Sequence, residues 1–543
     1  MKIVGVSPAH DSSICLVEDG AVKRFLKEER LTRKKRDSSP IRSLSKLLDN
    51  EQRIDYFVYA PPAEGSWNQY FSDWVTYVNK FSKVNESVDV SDEHHLQHAS
   101  LAFYNSGFDE AAVIIADGAG SYVEGLQEVE SIFIASYPDN IIPIYKNFWK
   151  KEDAAPERPY TLRNFPECEV AVATGIGGIV SLYITGTTLI GQHPLENGKT
   201  MGLAAYGKKS NLPNFIINQS NIIDSRSFML SKDKETPVYI DHFFDQVSIV
   251  PKENYSLYAD YAYHIQEQSE VAMEYLIRKT IEKTGLKNIC ISGGYGLNVV
   301  ANLRFLKNFP GINFYFEPIA DDSGNSIGAA LLQYRKISQD KTISKINHTF
   351  YHGFEYPLNN IGFGMSYEDV AMMLNDNKSV AMYYKLAEAG PRALGHRSIL
   401  FDPRNKNAKD LVNIIKKREW YRPFAAACLE EDAKKYFDLY DNIGYEFMTI
   451  NADANDLAKV EIPGVLHVDD TCRIQIVKDE SEPLYKLLKK FKAITGIGVL
   501  LNTSFNLAGE ALVETPEDAI NTFNNSDLHC LWFPEIHKGL IKN

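Results

Sequence analysis

The sequence predicts an α/β protein built from two domains. Apolar runs such as 111–116 and 288–292 have the length and β-branched content of buried strands, and each ends in a glycine-bearing turn. Stretches with apolar residues at helical spacing, such as 263–284, alternate with them. At 543 residues, with 44% hydrophobic and 24% charged residues, the chain is long enough for two or three separate cores.

Residues 2–6 and 13–17 read as strands joined by the polar turn Pro8-Ala9-His10-Asp11-Ser12, and Glu18-Asp19-Gly20 turns the chain into a returning strand, 21–26. The run 28–36 is expected to be a solvated helix end, with one lysine free to reach an anion at the first turn. Residues 66–92 look helical and aromatic-rich, 117–166 looks like short strands, and 208–252 looks like a polar insertion. Small residues crowd 175–190 and 196–207, which suggests close backbone approach to a ligand or between helices. Ser292-Gly293-Gly294 and Asp321-Asp322-Ser323-Gly324 each follow an apolar run and precede a helical pattern, the general arrangement for holding phosphate. With the first hairpin, these turns suggest the nucleotide cleft of an actin-like fold. The pattern lapses near 350, where the domain boundary is placed: residues 1–350 and 351–543. The second part carries the cations Arg392, Arg397, Lys416, Lys417, Arg418, Arg422 and Arg473, and its last apolar strand runs into Asn502-Thr503-Ser504-Phe505-Asn506.

His94 and His98 are four residues apart, so a helix would point both imidazoles from one face toward a shared metal. A structural pair on a helix face fits that spacing equally well, and the glutamate of a zinc-protease helix is missing. Asp117 ends the 111–116 strand and offers a carboxylate. The net charge of −13 argues against a protein that coats nucleic acid. Six scattered cysteines without a C-x-x-C pair offer no thiolate zinc site and fit a reducing compartment. The N-terminus reads as a strand start, not a signal peptide, and no apolar run reaches membrane-spanning length, so a cytoplasmic protein is expected.

Ten motifs, in order, carry a resemblance that spacing alone does not supply. They are Ala9-His10-Asp11, Glu28-Glu29-Arg30-Leu31-Thr32-Arg33, Glu93-His94-His95-Leu96-Gln97-His98-Ala99, Asp117-Gly118, Gly198-Lys199-Thr200-Met201-Gly202-Leu203-Ala204 and Gly293-Gly294-Tyr295-Gly296-Leu297-Asn298. In the second part they are Gly390-Pro391-Arg392-Ala393-Leu394-Gly395-His396-Arg397-Ser398-Ile399-Leu400, Arg418-Glu419-Trp420-Tyr421-Arg422-Pro423-Phe424, His467-Val468-Asp469 and Leu501-Asn502-Thr503-Ser504-Phe505-Asn506. The chain resembles the O-carbamoyltransferases of antibiotic and nodulation-factor biosynthesis. The resemblance implies an N-terminal actin-like ATPase (TsaD-like) domain that binds metal and transfers carbamoyl groups, followed by a YrdC-like α/β domain that forms carbamoyl adenylate from carbamoyl phosphate and ATP, with Mg²⁺ accompanying the ATP.

The same resemblance assigns residues. His94, His98, Asp117 and Asp322 would hold a divalent metal, iron in preference to zinc, acting as a Lewis acid. His10 and Lys35 would lie near the transferred group, with His94 also counted in the catalytic set. His10 would orient or deprotonate the acceptor hydroxyl, and Lys35 would steady carbamoyl or phosphate oxygens. Gly293, Gly294 and Asn298 would bind nucleotide in the first domain; Arg392, Lys416, Arg418, Arg422, Arg473, Asn502, Ser504 and Asn506 would bind the polyanions in the second. Departures are Leu386 and Ala387, where an arginine is usual, His396 for a frequent asparagine, and Asp470 for a glycine, which demands either less backbone freedom or more strain. The expected partners are carbamoyl phosphate, ATP and a small hydroxyl acceptor, whose contacts would come from 66–90 and 208–252; a homodimer is the base expectation. The alternatives are a threonylcarbamoyl-type tRNA-modifying fusion and a non-catalytic nucleotide sensor.

Overall fold

The computed structural model describes residues 1–542 except 50, 62–66, 151–166, 175–176, 211–249, 251, 254, 344–349, 359–360 and 442. Most of the expected insertion 208–252 and the end of the 117–166 strand region therefore lie outside the described residues. The chain divides into two compact units. The first comprises Met1–Glu28 with Ser38–His348, and the second Glu29–Asp37 with Thr349–Asn543. No helix among the described residues is long and apolar enough to cross a membrane.

The first unit holds two sheets. In the first, β1 (Lys2–Ser7), β2 (Ser13–Glu18), β3 (Ala21–Lys27), β4 (Arg53–Tyr59) and β5 (Lys83–Asp89) take the order β3-β2-β1-β4-β5. The hairpin neighbours are antiparallel, and β4 and β5 join in parallel. The second sheet contains β6 (Glu110–Ala116), β7 (Tyr122–Val123), β8 (Leu126–Ser136), β9 (Asn140–Lys150), β10 (Glu169–Thr174), β11 (Asn288–Ser292) and β12 (Asn313–Phe316). Its path β9-β8-β6-β11-β12 repeats the first order strand for strand, with the same directions, and β10 adds at one edge. This doubled order is the actin-like arrangement expected, with the β1–β4, β4–β5, β6–β11 and β11–β12 connections carried by longer crossovers. Residues 66–92 are not helical throughout: a helix spans Phe71–Val78, and the chain then becomes β5. Its residues are all partly or fully exposed, which suits a strand at the sheet edge.

Two helices stack between these elements and the site. The helix His94–Ser106 buries its histidines because its partner, Asn325–Ser338, comes unusually close. A Cβ on Gly328 would stand 2.0 Å from the Gln97 carbonyl oxygen, and one on Gly324 2.2 Å from that of Ile319. Only hydrogen at these positions permits the approach.

The second unit is an α/β domain around one long mixed sheet. Its strands are β13 (Phe363–Gly364), β14 (Val380–Tyr383), β15 (Arg397–Phe401), β16 (Ala425–Cys428), β17 (Phe437–Asp438), β18 (Asn451–Ala454), β19 (Thr471–Ile476), β20 (Val499–Ser504), β21 (Cys530–Phe533) and β22 (Lys538–Ile541). They run in the order β13-β22-β21-β14-β15-β20-β16-β19-β18-β17. One face packs on a cluster that includes Leu374, Leu400, Leu488, Phe491 and Trp532; another cluster includes Ile399, Phe505, Phe523 and Phe533.

The run 28–36 is only in part the solvated helix end expected: Glu28–Thr32 is helical and Lys34 and Lys35 are exposed, but Glu28 and Arg30 are buried. Glu28 is buried and accepts from the Arg42 and Ser43 amides and the Ser43 hydroxyl. Arg30, also buried, belongs to the second unit, where it donates to the carbonyls of Glu388 and Gly390. A guanidinium that caps two carbonyls in a core replaces the hydration it gives up.

Gly328→Ala should destabilise the chain by about 1–3 kcal/mol through overpacking against Gln97, read as a lower urea midpoint. An unchanged midpoint would mean that the two helices separate freely.

Candidate metal and anion sites

The first site assembles from four places in the doubled topology. His94 and His98 come from one face of the His94–Ser106 helix, Asp117 follows β6, and Asp322 follows β12. Their ligand atoms all lie within 4.8 Å of one another. His94 Nε2 is 3.2 Å from Asp117 Oδ2 and 3.7 Å from Asp322 Oδ1, and His98 Nε2 is 3.4 Å from Asp322 Oδ1. Both imidazoles are fully buried. Two neutral-capable imidazoles and two carboxylates, converging with no Lys or Arg paired to them among the described residues, are a donor set that fits a divalent transition-metal ion.

The surrounding residues hold this set in place. Asp117 Oδ1 accepts from the Gly294 amide at 2.9 Å, so the glycine turn after β11 positions a metal-ligand candidate. Glu317, at the end of β12, accepts from the Ile319 amide at 2.9 Å and shapes the turn to Asp322. Lys27, at the end of β3, bridges Asp11 at 2.6 Å and Asp321 at 3.4 Å. His10 is half-exposed, with Nδ1 3.7 Å from Asp322 Oδ2 and 3.9 Å from Asp11 Oδ2. It therefore stands at the open edge of the quartet.

The titration behaviour follows the geometry. Burial opposes charging His94, but the Asp322 and Asp117 charges outweigh it and raise its pKa to about 8. Burial likewise opposes ionising Asp117, yet the His94 hydrogen bond and the two imidazole charges hold its carboxyl well below the usual range. His10 is raised because Asp322 and Asp11 overcome its desolvation. His95 goes the other way: burial drives it down to about 3, and its Nδ1 pairs with the Ser131 hydroxyl at 2.7 Å. It is a neutral core histidine.

Not every residue assigned to nucleotide in the first unit faces a ligand. Asn298 caps the helix Val299–Asn308 through the Ala301 amide, and its amide group also engages Gln266. Gly293 has φ +81°, and a Cβ there would stand 2.4 Å from the Ala116 carbonyl oxygen. This glycine serves the close approach of β6 and β11.

The second site is a cluster of cations around the buried Lys416, with Arg418, Arg422 and Arg473 partly exposed. Lys416 donates to the Ser504 carbonyl, to the Asn506 carbonyl at 2.8 Å and to Asn506 Oδ1 at 3.1 Å, so it fixes the loop after β20. Its pKa is pushed well down, first by burial and then by the charges of Arg418, Arg422 and Lys35. Arg418 is depressed by burial, Arg422 and Arg473, and Arg473 falls to about 10, mainly through burial. Arg418 also donates to Asn413 at 2.6 Å and lies over the Phe424 ring. Arg473 Nε is buried without a hydrogen-bond partner among the described residues. Like charges held together out of water are costly unless an anion joins them.

Lys35 belongs to this second unit, carried there by the 29–37 excursion, and Lys34 bridges to Glu510 beside it. Arg392 precedes a loop shaped by the buried Glu388, whose Oε1 accepts from the Leu394, His396 and Arg397 amides. Asn502 supports the same loop by donating to the Ala393 carbonyl and Gln475. Of the departures, His396 is fully engaged between the Leu386 carbonyl and Glu482 and stacks on Tyr351. Asp470 has φ +60°, so the chain accepts strain where a glycine would relieve it. The sequence reading passed over Lys27, Glu317, Asn325 and Glu388. Asn325 alone had a local signal: it lies three residues after Asp322, at the opening of a helix.

The first unit thus gathers two histidines and two aspartates at one place, and the second gathers lysine and arginine side chains. The chain belongs to the carbamoyltransferase family: residues 67–331 match the carbamoyltransferase N-terminus and residues 371–538 the carbamoyltransferase C-terminus. It is 28% identical to nodulation protein NolNO of Sinorhizobium fredii, across 96% of this chain and 77% of that protein. It is 29% identical to nodulation protein NolO of Bradyrhizobium diazoefficiens, across 80% and 76%. Among solved structures, phosphate- and nucleotide-bound full-length HypF is 12% identical with a TM-score of 0.38, over 63% of this chain and 56% of that one.

Arg473→Met should leave the ligand-free melting temperature unchanged or raise it, because it removes a buried like charge, while abolishing most of the stabilisation that millimolar pyrophosphate confers on the parent. A lower ligand-free melting temperature with an intact pyrophosphate shift would contradict the anion pocket. Burial raises Glu317 to about 7, so its folded-state proton stabilises below the unfolded value near pH 4.5 and that contribution is lost as pH rises through about 7. The stability deficit of Glu317→Gln relative to the parent should therefore shrink or reverse between pH 5 and pH 8 in calorimetry; a widening deficit would refute the assignment.

Proposed function

We propose that this carbamoyltransferase is an ATP-dependent O-carbamoyltransferase. Its second domain, YrdC-like in this proposal, forms carbamoyl adenylate; its first, the actin-like domain, passes the carbamoyl group to a hydroxyl acceptor. The quartet of His94, His98, Asp117 and Asp322 within 4.8 Å is the observation that carries the reading. Carbamoyl transfer to a neutral hydroxyl needs a polarised carbonyl and a place for a proton, and this corner of the first unit offers both.

In the second domain, carbamoyl phosphate, water and ATP give carbamoyl adenylate, phosphate and pyrophosphate. Both substrates are polyanions, and Lys35, Lys416, Arg418, Arg422 and Arg473 supply the compensating charge, with Arg392 on the adjacent loop. Pyrophosphate is a leaving group whose negative charge develops as the bond to the α-phosphorus breaks, so buried guanidinium and ammonium groups stabilise that transition state most. Ser504 and Asn506, held by Lys416, present polar atoms at the same place.

In the first domain, a divalent ion, iron by preference, held by the quartet would act as a Lewis acid on the carbamoyl oxygen. His10 receives the acceptor's proton as its oxygen bonds to the carbamoyl carbon. The carboxylates of Asp322 and Asp11 stabilise the imidazolium that results. AMP leaves as the bond to its phosphate oxygen breaks. Lys27 keeps Asp11 and Asp321 from repelling each other and so keeps the turn bearing Asp322 in place. The acceptor is a small molecule with a free hydroxyl.

His10→Asn should leave carbamoyl-phosphate-dependent ATP/pyrophosphate exchange intact and reduce carbamoyl transfer by about 10²–10⁴-fold. Loss of both half-reactions would refute the division of labour. Failure of the parent protein to form pyrophosphate from ATP with carbamoyl phosphate present would overturn the adenylate route itself.

A further inference from the structure

Asn325 opens the Asn325–Ser338 helix three residues beyond Asp322, and its side chain is fully buried. Its Nδ2 lies 3.3 Å from His94 Nδ1 and 3.3 Å from His98 Nε2. Its Oδ1 is buried with no hydrogen-bond partner among the described residues, and so is His98 Nδ1. An unpaired buried amide oxygen costs free energy, so this arrangement calls for an explanation.

The chemistry of imidazole supplies one. A neutral ring carries one N–H and one lone pair. In the arrangement observed, Asn325 donates to both histidines, so His94 Nδ1 is an acceptor and its proton sits on Nε2, bonded to Asp117 Oδ2. That tautomer has no lone pair to offer the quartet. For His94 to bind an ion through Nε2, its proton must reside on Nδ1, which lies fully buried and then needs an acceptor. The side-chain amide facing Nδ1 is that of Asn325. A half-turn of this amide about its last torsion presents Oδ1 to His94 Nδ1–H and withdraws the N–H from His98 Nε2. One movement frees both metal-facing lone pairs and gives Oδ1 a donor, while the amide N–H groups take the position Oδ1 held.

We propose that Asn325 is a positioning residue that selects the metal-binding tautomer of His94 and releases His98, so that the turn of its amide accompanies ion uptake. The inference rests on the reading of the quartet as a metal site. It assigns no direct bond between Asn325 and the ion. The two contacts are direct, at 3.3 Å each, between side chains that are fully buried.

The test uses the full chain, stripped of metal with chelator and titrated with Zn²⁺ against a chromophoric competitor, and with Co²⁺ for its visible absorption. Asn325→Leu should weaken Zn²⁺ binding about 10–100-fold, as loss of an outer-shell partner to a ligating histidine does. Asn325→Asp, which presents only acceptors, should bind at least as tightly as the parent, with Co²⁺ bands at the parent positions. Parental affinity in Asn325→Leu would overturn the proposal, and so would loss of affinity in Asn325→Asp. Shifted Co²⁺ bands in Asn325→Asp would place residue 325 on the ion itself and also overturn it. If Asn325→Leu does not fold, Asn325→Asp decides alone. A parent that takes up neither ion would instead bring down the metal reading on which this rests.

Discussion

The contact between the Gly328 face of one helix and the Gln97 carbonyl of another is the constraint on which the first unit's site depends. It draws the helix bearing His94 and His98 against the helix whose approach turn bears Asp322 and whose first residue is Asn325. A methyl group in that contact would move ligand atoms that now lie within 4.8 Å of one another. Metal coordination tolerates displacements of only a few tenths of an ångström. The small residues of Asp321-Asp322-Ser323-Gly324-Asn325-Ser326-Ile327-Gly328 are thus as much a part of the site as its ligands.

The doubled topology explains why the site has room for chemistry. The hairpin turn after β1 delivers His10 and Asp11, and the corresponding turn after β6 delivers Asp117. Strands β11 and β12 then add Gly294 and Asp322 from their carboxyl ends, where open α/β sheets collect their ligands. Carboxylates gather here because each comes from a different strand end, and Lys27 and the histidines offset their repulsion. The second unit solves the opposite problem. It concentrates cations on β19 and on the segments after the helix Ala408–Ile415, and it borrows Glu29–Asp37 from the beginning of the chain. Membership of the carbamoyltransferase family puts these two opposite electrostatic designs in one carbamoyl-transfer enzyme.

The α/β class, the first hairpin and the strand-turn-helix segments around Gly293 and Asp322 were legible from periodicity, because apolar runs that end in glycine or aspartate leave little else for the backbone to do. That His94, His98, Asp117 and Asp322 converge was legible only through motif resemblance. His94 and His98 share a helix face by spacing alone, whereas Asp322 lies more than two hundred residues away and joins them through packing. The strand Lys83–Asp89 was misread as helix because its aromatic-rich approach masked a short, half-exposed edge pattern. Within 28–36, Glu28 and Arg30 were misread because charge in sequence looks like surface, and their burial depends on amides and carbonyls contributed from distant segments.

By itself, then, the sequence determined the residue types that metal and phosphate chemistry require, and the local turns that present them. Tertiary structure alone decided which of those residues meet. It set Lys35 among the cations of the second unit, made Asn298 a helix cap, and turned Asn325 from an unremarked helix opener into the partner of two imidazoles. The physical reason is that local propensity acts over a few residues, while ligand geometry and the pairing of buried polar groups are settled by long-range packing.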